Sequence, residues 1–322
     1  MARILTGIQS TGTPHLGNVL GAIRPAIALS RQPGNDSFFF IADLHSLTQI
    51  KDGALLRSNT NAVAAAWLAC GLDPERSVFY RQSDVPEVTE LCWYLNCFFP
   101  YSRLALAHSF KDKADRLEDV NAGLFTYPML MAADILLYDA HFVPVGKDQK
   151  QHLEFTRDVA ERFNHQMGET FVVPDARIDE QVMVVPGTDG EKMSKSRNNL
   201  VRLFASEKEL KQDVMGIVTD SQPLEAPKDP EGNHVYRLFK LVAPADAVAD
   251  MAAKFRAGGY GYGHAKKALL EVLLDSYKQE RDTFQRLMND TAELDRVLQV
   301  GAAKARTVAQ RVLQRTRERL GY

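Results

Sequence analysis

The sequence has few of the features that mark secreted, metal-binding or membrane proteins. Among 322 residues only three are cysteines, Cys70, Cys92 and Cys97, and none stands in a C-x-x-C pair. Disulfide scaffolds favour even numbers of cysteines, and zinc sites favour closely spaced pairs. We therefore expect neither a disulfide framework nor a protein-bound metal, and we interpret the three as reduced core residues.

Long apolar runs and an excess of one charge are also missing. No uncharged apolar run approaches the roughly 18 residues of a membrane span, and the start, MARILTGIQ, lacks a basic segment followed by a long apolar stretch. We therefore expect a cytoplasmic protein without membrane contact. The 39 basic and 41 acidic residues give a formal charge of -2, so a nucleic-acid partner would need a local basic patch.

The pattern of apolar residues predicts the fold class. Up to about residue 200, short strand-like runs at 3–6, 37–42, 77–80 and 141–145 alternate with helical segments, as in a parallel sheet with crossover helices. Beyond Lys195 only helical segments continue, at 207–217, 235–241, 245–255, 262–290 and 292–319. The sequence predicts an α/β fold: a Rossmann-type doubly wound parallel sheet in residues 1–200 and an all-α domain in 201–322. The last helix is a candidate to pack back on the first domain.

A Gly-rich loop, GIQSTGTPHLGN at residues 7–18, lies between the first strand and the first helix. In a doubly wound sheet such a loop lies at the carboxyl end of a strand, where nucleotides bind. His15 adds a donor that can follow charge developing on a phosphoryl oxygen, and Gln9 and Thr11 offer neutral hydrogen bonds. An ordinary Gly-rich turn capped by Asn18 is the alternative interpretation.

A second polar segment, KMSKS at residues 192–196, follows the sequence PGTDGE. Lys192 and Lys195 lie three residues apart on this loop, a spacing that suits a clamp on a triphosphate. A solvated basic turn is the alternative.

A third pattern lies in the apolar helix predicted over 127–138, with Pro128 in its first turn. Tyr127, Met131 and Asp134 are spaced i, i+4, i+7 and share one helix face. An apolar face with one carboxylate suits an aromatic substrate that carries a single N–H group. Met131 would pack on the ring and Asp134 would accept the indole proton, unless this is a core helix with an ion-paired aspartate.

These segments resemble the class I aminoacyl-tRNA synthetases. HLGN at 15–18 is similar to their first signature element, and KMSKS is identical to their second. In that family the first element holds ATP and the second closes on the pyrophosphate. The resemblance implies amino-acid adenylation and transfer to the 3′ end of tRNA, with His15, Lys192 and Lys195 in catalytic roles and Mg²⁺ accompanying the ATP.

The resemblance is to the tryptophan branch, because the tyrosine branch usually has Gln where this chain has Met131. It implies ATP-dependent ligation of L-tryptophan to tRNA(Trp) through tryptophanyl-adenylate. The segment ADLHSLT at 42–48 resembles one that brings His45 to the substrate pocket, although a histidine can also fix a strand-to-helix turn. By the same likeness, Gln149 and Tyr127 hold the substrate ammonium.

The resemblance also implies the nucleotide contacts. The implied ATP-binding residues are Gln9, Ser10, Thr11, Gly17, Asn18, Gly146, Lys147, Asp148, Lys192, Met193, Ser194, Lys195 and Ser196, with Gly146 and Asp148 at the ribose. Lys111 and Lys113 match positions near the triphosphate, or are solvated lysines. Ser10 stands where the family usually has Pro, which would loosen the loop, and Lys147 stands where an acid is common.

The last predicted helix carries six basic residues and one acid within 301–322. A solvated helix face and a phosphate-contacting surface are the two interpretations of this charge. The resemblance implies that the region after 200 reads the tRNA anticodon and that the chain forms a homodimer. Three alternatives are a tyrosine-specific sister enzyme, a small nucleotidylyltransferase and an inactive RNA-binding paralogue.

Overall fold

Five parallel strands form one sheet at the centre of the protein, for which a computed structural model describes residues 2–107, 120–146, 149–178 and 184–322. The strands are β1 (Ala2–Ile8), β2 (Asn35–Ile41), β3 (Val78–Arg81), β4 (Phe142–Val145) and β5 (Asp175–Ile178). Their order is β3-β2-β1-β4-β5, with Leu5 of β1 opposite Phe38 of β2. The predicted doubly wound parallel sheet is confirmed, while β5 was missed because its sequence, DARI, is short and half charged.

Helices cover both faces of the sheet. They are α1 (Leu16–Asn18), which continues through a π-helical turn (Val19–Ile23) into α2 (Arg24–Ser30), then α3 (Asp43–Ser46), α4 (Gly53–Ala69), α5 (Glu87–Phe98), α6 (Tyr101–Leu104), α7 (Ala122–Leu136) and α8 (Lys150–Met167). Alternate side chains of β2 point to opposite faces. Phe39 and Ile41 pack with α4, whereas Phe38 and Phe40 pack with α5, α7 and α8.

The strand order places a crevice beside β1. The chain adds β2 and β3 on one side of β1, and β4 and β5 on the other, so the connections after β1 and β4 leave the sheet toward opposite faces. Ligands of open α/β sheets bind at the carboxyl ends of the strands where the winding reverses. The loop after β1 and Gln149, which follows β4, therefore both open onto this crevice.

From Glu207 onward the described residues form six helices and no strand. The helices are α9 (Glu207–Met215), α10 (His234–Val242), α11 (Ala245–Ala257), α12 (Tyr262–Ser276), α13 (Lys278–Asn289) and α14 (Thr291–Leu320). Their apolar side chains join the core of the first region; Leu269 and Phe284, for example, belong to one buried cluster with Leu16 and Val63. Packing therefore continues across residue 200, and the division into 1–200 and 201–322 stays a prediction.

The 30-residue helix α14 returns to the edge strand β3. Gly301 allows this approach, since a Cβ atom there would lie 1.7 Å from the Phe79 carbonyl oxygen. A helix backbone can thus lie directly on the strand.

Three arginines of α14 hold it to the first region. Arg306 Nη2 lies 2.8 Å from Glu87 Oε1, Arg315 Nη1 lies 3.0 Å from Asp139 Oδ2, and Arg317 Nε lies 2.6 Å from Glu90 Oε1. These charges form intramolecular ion pairs. All three side chains are also partly exposed, so a solvated face and a phosphate-contacting surface both stay open as interpretations of the basic helix.

Other local predictions also need correction. Helix α7 begins at Ala122, because the Asn121 side chain accepts a hydrogen bond from the Leu124 N–H, so Pro128 lies inside the helix instead of in its first turn. The single helix predicted over 262–290 is divided at Tyr277. Cys97 is exposed at the end of α5, which contradicts its assignment to the core.

None of the helices within the described ranges is long and apolar enough to cross a bilayer.

Candidate functional site

A cavity of about 810 Å³ opens at the carboxyl ends of β1 and β4. Its volume is within the range of small-molecule sites. It brings together most of the predicted site residues: Gln9, Thr11, His15, Gly17, Asn18, His45, Tyr127, Met131, Asp134, Gln149, Lys192, Met193, Ser194, Lys195 and Ser196. Three segments far apart in sequence thus line one cavity: the loop after β1, helix α7 and the segment 192–196.

Some predicted residues do not line this cavity or lie outside the described part of the chain. Ser10 and Gly146 are described and are absent from its lining. Lys111, Lys113, Lys147 and Asp148 lie outside the described residues, so their roles stay predictions.

His15 stands at the start of α1 and is almost fully buried, with 5% of its surface exposed. Its backbone N–H donates to Asn18 Oδ1 at 3.1 Å, which fixes the turn that places the ring against the cavity. Burial and, second, the positive charge of Lys195 lower the pKa of His15 to about 4. At neutral pH the ring is therefore uncharged and can offer one N–H donor.

The segment 192–196 closes over the loop after β1. Lys195 Nζ donates to the Gly12 carbonyl oxygen at 3.0 Å, and the Gly17 N–H lies 3.3 Å from Met193 Sδ. Met193 is buried, which anchors the segment, whereas Lys195 as a whole residue is exposed. The ammonium group itself lies against the Gly12 loop, and its partial burial there lowers the pKa of Lys195. This cation is therefore held beside the position that an anionic ligand of the Gly12 loop would occupy.

Asn199, which was not predicted as a site residue, fixes the conformation of this segment. It is 2% exposed; its Oδ1 accepts from the Ser194 N–H at 2.8 Å, and its Nδ2 donates to the Lys192 carbonyl at 3.1 Å and to Asp189 Oδ1 at 2.7 Å. One buried amide thus holds both ends of the turn that carries the two lysines. The role depends on contacts within the loop, and no motif indicates it.

At the other end of the cavity, Asp134 is a buried carboxylate with 3% of its surface exposed. His45 Nε2 lies 2.9 Å from Asp134 Oδ2, and Gln82 Nε2 lies 2.7 Å from Oδ1. Burial raises the pKa of Asp134, and the hydrogen bond from His45 opposes that rise. The i, i+4, i+7 spacing holds, because Tyr127, Met131 and Asp134 all line the cavity.

His45 thus lines the cavity, as the resemblance implies, and also makes a structural contact with Asp134. Tyr127 packs edge-on against His45, with ring centroids 6.0 Å apart, and its hydroxyl lies 2.7 Å from His152 Nε2. His152 is 2% exposed and was not selected from the sequence. The aromatic wall of the cavity is therefore held from behind by a second histidine.

Ser10 is fully buried, and its hydroxyl donates to Ser46 Oγ at 3.0 Å. Ser46 in turn donates to the Ala42 carbonyl at 3.2 Å. This chain of hydrogen bonds fastens the loop after β1 to helix α3, which carries His45. These contacts oppose the loosening expected at Ser10, which stays a prediction.

No group of three or more His, Cys, Asp or Glu side chains that could hold a metal ion occurs within the described ranges.

Comparison with known proteins agrees with this geometry. The family model of class I tRNA synthetases (W and Y) matches residues 1–278. The chain is 49% identical to a tryptophan–tRNA ligase of Rhodopirellula baltica over 99% of both chains, and 45% identical to one of Campylobacter jejuni over 99% of both. The crystal structure of tryptophanyl-tRNA synthetase from C. jejuni complexed with ADP and tryptophan has a TM-score of 0.96 at 44% identity, covering 99% of this chain and 100% of that one. This chain belongs to the class I tRNA synthetases of the tryptophan and tyrosine family.

Proposed function

We propose that the chain is a tryptophan–tRNA ligase that works in two steps. The tryptophan carboxylate attacks the α-phosphorus of ATP, which forms tryptophanyl-adenylate and releases pyrophosphate, and the tryptophanyl group is then transferred to the 3′ end of tRNA(Trp). The observation that carries the proposal is one cavity lined at one end by the buried carboxylate Asp134 and at the other by His15, Lys192 and Lys195. The names of the relatives at 45–49% identity support the same reaction.

The amino-acid end of the cavity suits an indole. Asp134 has a fixed acceptor on an otherwise apolar face, and Met131 of the same helix lines the cavity beside it. A buried acceptor that only an N–H group satisfies can reject analogues by a factor on the order of ten thousand. Gln149 and Tyr127 are proposed to hold the ammonium group of the substrate.

The chemistry at the nucleotide end needs positioning and charge stabilisation. A tryptophan carboxylate is already ionised at neutral pH, so its attack needs no general base. Lys192 and Lys195 are proposed to neutralise charge on the leaving pyrophosphate, and His15 to donate a neutral hydrogen bond. A Mg²⁺ ion bound to the triphosphate supplies further charge neutralisation.

The remaining ATP contacts are proposals of the same kind. Gln9, Thr11, Gly17 and Asn18 line the cavity beside His15 and are proposed to contact the nucleotide. Roles at the ribose for Gly146 and Asp148, an ATP contact for Lys147, and roles near the triphosphate for Lys111 and Lys113 rest on the family resemblance. A tRNA-binding role for residues 201–322, a homodimer and a cytoplasmic location are proposed on the same ground.

ATP–pyrophosphate exchange with each aromatic amino acid tests the proposal. We expect exchange that depends on tryptophan, with tyrosine and phenylalanine at least a hundredfold less effective at equal concentration. Exchange driven by tyrosine would assign the chain to the sister specificity, and no exchange with any amino acid would leave an RNA-binding paralogue. Charging of tRNA(Trp) with labelled tryptophan then tests the second step.

A further inference from the structure

A buried glutamine lies directly behind the carboxylate that is proposed to select the indole. Gln82 follows β3 in a short 3₁₀ turn (Gln82–Asp84) and is 1% exposed. Its Nε2 atom lies 2.7 Å from Asp134 Oδ1 and 2.9 Å from Asp134 Oδ2. It does not line the cavity, so it influences a ligand through the residues that it contacts, and Asp134 is the one of these that lines the cavity.

The orientation of the Gln82 amide is set by its two partners. The Leu44 backbone N–H donates to Gln82 Oε1 at 3.1 Å and also to Asp43 Oδ1 at 3.1 Å. Because an ionised carboxylate only accepts hydrogen bonds, the NH₂ group must face Asp134, which turns the oxygen toward the Leu44 N–H. A flipped amide would set a donor against the Leu44 N–H and a carbonyl oxygen against the carboxylate, which costs free energy at both contacts.

The backbone of this turn is held as well. The Asp43 carboxylate accepts hydrogen bonds from the Ser83 N–H at 3.0 Å and from the Ser83 hydroxyl. This contact fastens the turn to α3, the helix that carries His45. The two donors to Asp134, from Gln82 and His45, therefore come from segments that hydrogen bonds join.

The donors leave a defined acceptor on Asp134. Among the described residues, Oδ2 receives hydrogen bonds from both His45 and Gln82, whereas Oδ1 receives one from Gln82 alone. A carboxylate offers about four acceptor positions. The arrangement therefore leaves Oδ1 able to accept one further N–H group.

We propose that Gln82 is a positioning residue for tryptophan selection: its amide holds the Asp134 carboxylate in the orientation that accepts the indole N–H group. The inference rests on the proposed activation of tryptophan and adds a residue outside the cavity to the determinants of specificity.

The test compares tryptophan with β-(benzothiophen-3-yl)alanine, an amino acid of nearly the same shape in which sulfur replaces the indole N–H group. The measured quantity is kcat/KM for tryptophan divided by kcat/KM for the analogue in ATP–pyrophosphate exchange, with full-length protein. Gln82→Met removes the amide donor at similar side-chain length. We expect this variant to lower the ratio at least tenfold, because the loss falls on tryptophan alone.

Gln82→Asn provides a second variant, since it keeps an amide in the turn but withdraws the donor by one methylene group. We expect it to lower the ratio as well. Gln310→Met is the matched control: Gln310 Nε2 also donates to a carboxylate, Glu87 Oε1 at 3.0 Å, outside the residues that line the cavity. Its ratio should stay within twofold of the parent value.

An unchanged ratio in both Gln82 variants would overturn the proposal. With equal losses of kcat/KM for tryptophan and the analogue it would show a purely structural role, and with no losses it would show no role at all. The outcome is separate from the proposed function itself, which is decided by whether the unsubstituted chain activates tryptophan.

Discussion

The histidine of the loop after β1 should resist protonation far below the pH at which histidines ordinarily titrate. Burial, and next the positive charge of Lys195, lower the pKa of His15 from 6.5 to about 4. Since one pKa unit corresponds to about 1.4 kcal/mol, the shift corresponds to about 3 kcal/mol. The proton binds the unfolded chain near pH 6.5 and the folded chain only near pH 4. The contribution to the free energy of unfolding is therefore fully present above pH 6.5 and is lost as the pH falls to 4.

NMR of protein labelled with ¹³C at histidine Cε1, without nucleotide, measures this pKa, and His15→Gln assigns the signal among the 8 histidines. Urea unfolding at pH 7 and pH 4 measures the linked free energy, and its decrease should be about 3 kcal/mol smaller in His15→Gln than in the parent. Lys195→Ala should raise the pKa of His15 only in part, because burial is the larger cause. A pKa of 6 or above in the parent protein would refute the reasoning.

Three further substitutions test separate parts of the structure. Lys195→Ala should slow tryptophan-dependent exchange by a factor of about 10² to 10³ while the calorimetric Kd for tryptophan stays within twofold; equal losses in both would count against a role at the reacting phosphate. In Asp134→Asn the amide can turn its N–H donor toward the indole N–H, so kcat/KM for tryptophan should fall at least tenfold. Unchanged discrimination between tryptophan and phenylalanine would show that Asp134 does not select the indole. Gly301→Ala places a Cβ atom 1.7 Å from the Phe79 carbonyl oxygen and should lower the free energy of unfolding by about 3 kcal/mol. Gly263→Ala, in a helix with nothing within 4 Å of the added atom, is the control and should not destabilise in the same urea titration.

The fold was predictable where apolar periodicity is strong. The run SFFFIA predicted β2 because its side chains alternate between two buried faces. The strand β5 has no such run, and only its pairing with β4 defines it. Helix α7 was predicted to begin too late, because the capping hydrogen bond that Asn121 Oδ1 accepts from the Leu124 N–H outweighs the preference of Pro128 for a first turn.

The site divides in the same way. His15, Lys195 and Asp134 stand in short segments whose residue types and spacing indicate their chemistry, and the structure brings all three to one cavity. Gln82 and His152 were missed because their partners lie 52 and 25 residues away in the sequence. Contacts of this kind depend on tertiary structure, and a single sequence carries no local signal of them.

A crystal structure with tryptophan and a non-hydrolysable ATP analogue tests the account most directly. We expect the indole nitrogen at about 3 Å from Asp134 Oδ1, and Lys195 moved from the Gly12 carbonyl to the phosphates. An indole ring away from α7, or a segment 192–196 directed away from the bound nucleotide, would contradict the account.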